Sequence, residues 1–517
     1  MGNTESRVIE TSSTVPNKPE MDKENVTLQT MTSDLTLSDR QDSEKMQPQD
    51  DTKVVIVGGP LNLKDSFHCD EKKVDDGSSA PSTAEETATA ASLVSSPTLL
   101  VTPRSEATPA NHRVKAWCGK KYYSDLVKES MQYLGNQIEE HVVMVYESPS
   151  YETPDTSFVN AKQYFFHDSP AGSPIPRTTL GPQRYAAMTG DAIPVYIKSP
   201  PPAELLQHWK NAIPSYVEPK FVHTLDANNH VYAYLPLEQV EKHVNDPSVH
   251  YHLAGKDAIP LMTSKTTKLL PDTKQVRPCI AKVNHSMGSR GIFVIRDDED
   301  EQEFMEFLQE TGNPPYVVSE FVTIVRNIAC HFFIHPNGDI IWLGSSENVR
   351  LEDGSWSADS TMDNSQQETL QALQVPGARD VADYCLSLGF SGFCGIDVLI
   401  DSDGRGHVVD VNPRVTGTCP ALMTFRGMQE KFGYDFGLFR RSTDHAYPGS
   451  VAQLVEEVEA HNATHAGKSR IVLFSIAEQS NEKTFLNIGV YGTSLEECET
   501  HLNHFSRIFK YKKATYM

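Results

Sequence analysis

Between residues 279 and 413, short apolar runs alternate with turn residues, and two stretches carry apolar side chains at helical spacing. Cys279–Val283 and Gly291–Ile295 read as strands separated by a glycine-containing loop. Phe304, Phe307 and Leu308 recur on one face of a helix over 303–308, and Tyr316–Val322 is again a strand. Asn327–Ile334 and Ile340–Leu343 flank Pro336-Asn337-Gly338, a strong short-range hairpin signal. A helix over Val381–Leu388 follows. A second hairpin joins Gly395–Ile400 to His407–Val411 through Asp401-Ser402-Asp403-Gly404. Hairpin-linked strands interleaved with helices predict an α+β sheet domain rather than a doubly wound parallel one.

The flanks are less regular. Tyr123–Leu134 has helical spacing, while Val142–Tyr146, Ile193–Ile197 and Val231–Leu235 read as strands between proline-rich loops. This predicts a small α/β domain over 113–253, with the sheet domain over 254–440. Residues 345–366 are polar, with Gly354 and Trp356, and read as a substrate-facing loop. Arg470–Ile476, Thr484–Tyr491 and an amphipathic Leu495–Phe509 predict a β-β-α subdomain over 441–517. It would shape either the substrate site or a homodimer interface.

Composition changes the picture at the N-terminus. Residues 1–112 carry 19 acidic against 10 basic residues and are rich in Ser, Thr, Pro and Ala. Such a segment buries too little apolar surface to offset its ordering entropy, so a disordered acidic tail is expected, with one apolar island at Val54–Val57. Met1-Gly2-Asn3-Thr4-Glu5-Ser6 matches the N-myristoylation pattern with Gly2 as acceptor. One acyl chain without a basic patch implies only weak membrane association. The net charge of −23 disfavours nucleic acid as a partner. Eight scattered cysteines without a C-x-x-C pair, and no long apolar stretch, point to a cytoplasmic protein.

The chemistry-bearing residues fall in four places. Lys282 closes a strand ahead of the loop Asn284-His285-Ser286-Met287-Gly288-Ser289-Arg290-Gly291, an arrangement suited to clamping a triphosphate. Lys256 lies earlier, in Gly255-Lys256-Asp257. Ser319-Glu320-Phe321-Val322 ends a strand. Asp397 and Asp410 lie on adjacent strands, with Asn412 two residues after Asp410 and so on its face, in the run Asp410-Val411-Asn412-Pro413-Arg414. Hard oxygen ligands converging from an apolar strand pair suit Mg²⁺. Alone, each motif also occurs in ordinary hairpins and strand ends.

Taken together, over 254–430, these motifs resemble the ATP-grasp superfamily. The resemblance implies an ATP-grasp fold and a carboxylate–amine ligase that forms an acyl phosphate from ATP. It implies Lys256 and Lys282 on the phosphates, with Ser286, Gly288, Ser289 and Gly291 in the covering loop and Glu320 and Val322 at the nucleoside. Asp397, Asp410 and Asn412 would hold one or two Mg²⁺ (Mn²⁺ also fits), and Arg414 would steady the transferring group. Asp410 departs from the family pattern, where Glu is common. Arg326 and Arg350 are expected to clamp a substrate carboxylate. The small-molecule partners are a carboxylate and an amine. The competing expectations are thioester formation, phosphoryl transfer, or a nucleotide-binding scaffold with little turnover.

Overall fold

The computed structural model describes residues 113–135, 141–147, 163–167, 176–288, 290–350, 356–441 and 445–508. Gly2, the apolar island at 54–57 and Ser289 lie outside them, as does the side chain of Arg350.

The N-terminal part supplies β1 (Val114–Ala116), α1 (Tyr123–Tyr133), β2 (Val142–Val145), α2 (Arg177–Ala186), β3 (Val195–Tyr196), α3 (Ala203–Ala212), β4 (Phe221–Val222), β5 (His230–Ala233) and α4 (Pro247–Leu253). Strands β2 to β5 form a parallel sheet in the order β4-β3-β2-β5. Every residue of β2 is buried, the continuous apolar pattern expected where both faces of a parallel sheet are covered.

After the short α5 (Ile259–Met262), the chain builds a small antiparallel sheet. It comprises β6 (Leu269–Leu270), β7 (Cys279–Val283), β8 (Ile292–Ile295) and, beyond α6 (Asp298–Glu310), β9 (Tyr316–Glu320), in the order β6-β9-β7-β8. Asp297 caps α6 by accepting from the Asp300 N–H at 3.0 Å, and four acids in the first turn complement the helix dipole. Phe304 and Leu308 turn inward onto Ala281, Val283 and Ile295, making a core separate from the rest of the molecule.

The large sheet comes next. Its elements are β10 (Ile324–Ile334), β11 (Ile340–Arg350), β12 (Trp356–Asp363), α7 (Gln367–Ser387), β13 (Gly392–Asp401), β14 (Gly406–Asn412), α8 (Cys419–Phe432) and β15 (Phe436–Arg440). β16 (His445–Ala446), α9 (Val451–Thr464), β17 (Ser469–Ser480), β18 (Lys483–Gly492), α10 (Leu495–Phe505) and β19 (Arg507–Ile508) complete the chain. The strand order is β14-β13-β10-β11-β12-β15-β18-β17, with β1 adding in parallel to β11.

Two expectations change. Residues 345–366 are mostly not a loop: β11 runs to Arg350 and pairs with β12, with Ser345 and Ser346 buried. Their polarity disguised buried strand residues: Ser345 Oγ donates to Gln374 Oε1 at 2.7 Å, while the Ser346 hydroxyl is buried without a partner among the described residues. The helix expected at 381–388 starts at Gln367, because Pro376 and Gly377 broke the pattern without breaking the helix. The C-terminal β-β-α set is present as β17, β18 and α10, and it continues the large sheet through β15. No helix of the described residues is long and apolar enough to cross a membrane.

Candidate active site

β13 and β14 run antiparallel with Asp397 directly opposite Asp410 and Gly395 opposite Asn412. The register slips after this pair, since Val398 meets Val408 and Val409 is left over. That inserted residue lets Val408 and Val411, three apart, both reach the core. Asp410 and Asn412 are thereby turned to the other face, a use of a bulge to re-aim side chains. Asn412 Nδ2 donates to Asp410 Oδ2 at 3.2 Å, which leaves the amide oxygen free. Burial, and then the facing Asp410, push the Asp397 carboxyl up to about 7. Two carboxylates facing each other in a partly desolvated cleft are destabilised unless a cation sits between them, so this donor set fits a divalent metal.

Two lysines adjoin the acids. Lys256 opens a short turn after α4, is only 5% exposed, and places Nζ 3.6 Å from Asp410 Oδ1. Its backbone N–H donates to Asn284 O at 3.2 Å and its ammonium to Ser286 Oγ at 3.2 Å, tying the turn to the loop after β7. It is therefore not an ordinary solvated lysine. Lys282, near the end of β7, is held down at about 8 by burial and then by Lys256, with Asp410 and Asp397 opposing. The two ammonium groups repel across a shared space, which an anion between them would relieve. The loop closes where the Val283 N–H donates to Gly291 O at 2.8 Å. Gly291 has φ of +63°, and a Cβ there would lie 2.7 Å from Val283 Cγ2.

Lys256 and Lys282 line a cleft with Thr267, Leu269, Val317 and Ser319. Ser319 Oγ is buried there without a hydrogen-bond partner among the described residues. Glu320 is engaged with Lys268: its backbone N–H donates to Lys268 O at 2.9 Å and its Oε1 accepts from Lys268 N at 2.9 Å. Val322 lies half-buried between β9 and β10.

Arginines form the other wall. Arg414 Nε donates to Tyr234 Oη at 3.3 Å, Tyr185 Oη donates to the same oxygen at 3.1 Å, and Arg184 Nη2 donates to Tyr185 Oη at 3.0 Å. Burial alone would raise the Tyr234 phenol, but Arg414 and its other neighbours outweigh it and the net shift is downward. Arg441, just beyond β15, has its pKa lowered by burial and by Arg184. A Cβ on Gly417 would lie 3.6 Å from both Arg184 Nη2 and Arg441 Nη1, so the two guanidinium groups meet above that glycine. Arg184 Nε is buried without a partner among the described residues.

Among the described residues, no carboxylate lies within ion-pair distance of Arg184, Arg414 or Arg441. Nearby arginines are treated differently. Arg440 is bound by Asp359 at 2.7 Å, and Arg326 donates through Nε and Nη2 to both oxygens of Glu347 at 2.9 and 2.7 Å. Arg326 is therefore not free to clamp a substrate carboxylate as expected, because its fork is filled. Arg184 and Arg441 escaped the sequence reading; the available cue was a charged residue embedded in, or closing, an apolar run.

Residues 262–412 match a family model described as "L-aspartate–L-methionine ligase, ATP grasp". No curated protein sequence matches the chain significantly. Among solved structures, an L-amino acid ligase from Bacillus licheniformis is 10% identical, covering 72% of this chain and 98% of its own with a TM-score of 0.42. N5-carboxyaminoimidazole synthetase from Staphylococcus aureus is 10% identical over 70% and 96%, with a TM-score of 0.42. Biotin carboxylase from Campylobacter jejuni is 12% identical over 49% of this chain, which spans 66% of that enzyme, with a TM-score of 0.35. With Lys282, Asp397, Asp410 and Asn412 in order on these strands, residues 262–412 are similar to the ATP-grasp family.

Proposed function

We propose that the protein is an ADP-forming ligase that activates an acidic amino acid with ATP and joins it to the amino group of a second amino acid. The observation that carries this reading is the placement of three arginines, without carboxylate partners among the described residues, beside the Asp397–Asp410 pair and the two lysines.

In this reading a carboxylate oxygen of the acid attacks the γ-phosphorus of ATP, and ADP leaves. The amine nitrogen of the second substrate then attacks the acyl-phosphate carbon, phosphate departs and the nitrogen loses a proton. Lys256 and Lys282 hold phosphate oxygens, each ammonium meeting charge that water no longer reaches. Ser286 and the Gly288–Gly291 loop cover the same groups, and Ser319, Glu320 and Val322 border the nucleoside. Asp397, Asp410 and the amide oxygen of Asn412 hold one or two Mg²⁺. When bound, the metal neutralises charge on the phosphates. Arg414, oriented by Tyr234, stabilises charge on the transferred group. Arg184 and Arg441 take the second carboxylate of the acid, since a dianion matches more than one guanidinium. The family description pairs aspartate with methionine, so these are the first substrates to test.

The test is an assay of Mg·ATP turnover with amino acids offered singly and in pairs. ADP and phosphate are expected with aspartate plus methionine, in step with dipeptide. Asp410→Ala abolishes turnover, and Arg441→Met raises the KM for the acid by at least about tenfold while leaving that for ATP unchanged, as loss of a charged hydrogen bond of about 1.5–3 kcal/mol requires. Release of AMP and pyrophosphate would refute the acyl-phosphate route. A preference for monocarboxylic acids would refute the arginine assignment.

A further inference from the structure

Away from the motifs of the cleft, α9 and α10 bring three histidines together. His461 lies in the last turn of α9, His465 caps that helix one turn later, and His501 projects from α10. The rings of His461 and His465 are stacked, with centroids 4.0 Å apart and planes inclined by 12°. His501 meets both edge-on, at 4.2 and 5.2 Å. One nitrogen from each ring lies within 4.8 Å of the other two.

We infer that His461, His465 and His501 form a binding site for a late first-row divalent cation, Zn²⁺ above all, which clamps α9 to α10.

Two observations carry the inference beyond a simple cluster. The first is tautomeric. His465 Nδ1 lies 3.1 Å from the His461 carbonyl oxygen. A carbonyl only accepts, and the Thr464 hydroxyl, 3.0 Å from the same nitrogen, accepts as well when it donates to Ala460 O at 3.0 Å, so a proton on Nδ1 satisfies both contacts and leaves the Nε2 lone pair for a metal. Protein-bound metals commonly use imidazoles whose other nitrogen is anchored in this way. The spacing of His461 and His465, four residues apart along one helix, also sets two imidazoles on the same face.

The second is a fourth donor beside the rings. Glu497 brings its Oε1 to 3.8 Å from His501 Nε2, and the fourth position of a tetrahedral shell falls to this carboxylate or to water. Zinc–nitrogen bonds of about 2.0–2.1 Å place tetrahedral donors about 3.3 Å apart, so the rings close by about 1–1.5 Å on binding. Nitrogen donors separate this site from the oxygen-lined cleft in metal preference, since Mg²⁺ selects carboxylates, carbonyls and water. The site does not depend on the ligase reading.

The experiment is calorimetric titration of ZnCl₂ into the metal-stripped full-length protein, with Mg²⁺ saturating. One Zn²⁺ per chain is expected with Kd at or below about 1 µM, as three nitrogen donors already gathered on two helices support. His465→Gln and His501→Gln, chosen because both residues are partly exposed, should each weaken binding by more than about 100-fold while the metal-free melting temperature stays near wild type. Co²⁺ gives an independent readout: tetrahedral visible bands in the wild type, lost in both variants. The inference is overturned if the wild type takes up no Zn²⁺ in this range, or if both variants bind it as tightly as wild type.

Discussion

At the scale of single residues, the site is defined by charges that the folded chain leaves unbalanced. Asp397 illustrates the consequence. Its pKa near 7 in the folded protein lies above the value near 3.8 expected for the unfolded chain. Between those values the folded state binds the extra proton, so without metal this group makes stability fall as pH rises from about 4 to about 7. Mg²⁺ requires the ionised pair and displaces that proton, so its stabilising effect grows with pH. The increase in melting temperature caused by Mg²⁺ without nucleotide should be larger at about pH 8 than at about pH 6, and Asp397→Asn should remove the difference. An equal Mg²⁺ effect at both pH values in the wild type would contradict the metal assignment. The residues of this pair were legible in the sequence because they interrupt apolar strands at sites where burial without a cation is costly. Arg184 and Arg441 were not, because their meaning depends on α2 and β15 arriving at the same glycine, Gly417, from positions far apart in the chain.

At the scale of elements, hairpins and short strands announced themselves, while contacts that require a glycine did not. The expected strand at Gly395–Ile400 begins three residues earlier, at Gly392. Gly392 has φ of +146°, and a Cβ there would lie 2.2 Å from Tyr232 Oη, the oxygen that accepts the Phe393 N–H at 3.0 Å. The N-terminal parallel sheet thus docks onto the start of the strand that carries Asp397 through one phenol and one missing side chain. Likewise α7 approaches β14 because Gly377 leaves room for Val408, which a Cβ would meet at 2.8 Å. Gly392→Ala should cost about 2–4 kcal/mol of stability, from overpacking plus backbone strain, measured by urea unfolding. Tyr232→Phe in the same chain should recover part of that loss, because the clash is with the hydroxyl. Strictly additive effects of the two substitutions would argue that the strain lies elsewhere.

At the scale of the whole molecule, the architecture divides differently from the order of segments along the chain. One core holds Trp117 and Tyr123 near the start of the described chain together with Leu473, Ile488 and Phe505 near its end. Trp209 of α3 fastens this union by donating from Nε1 to Leu473 O at 2.7 Å. The strands after β15 therefore cannot be an appendage: they extend the sheet that carries Asp397 and Asp410 and cover the N-terminal helices. The small sheet of β6 to β9 with α6 is the exception, since its side chains form a core of their own. A unit with so small a private core opens at lower free energy than the sheet beside it. Yet it carries Lys282, Ser319 and the loop toward Gly291, so it is the wall that a nucleotide would draw against Lys256 and Asp410. Hydrogen exchange followed by mass spectrometry should show amides of 269–320 exchanging faster than those of 324–334 and 392–412 in the free protein. Mg·ATP should slow the first group selectively. Uniform exchange across both sheets, or protection by nucleotide confined to the large one, would mean that the cleft is already rigid and that its small sheet does not close.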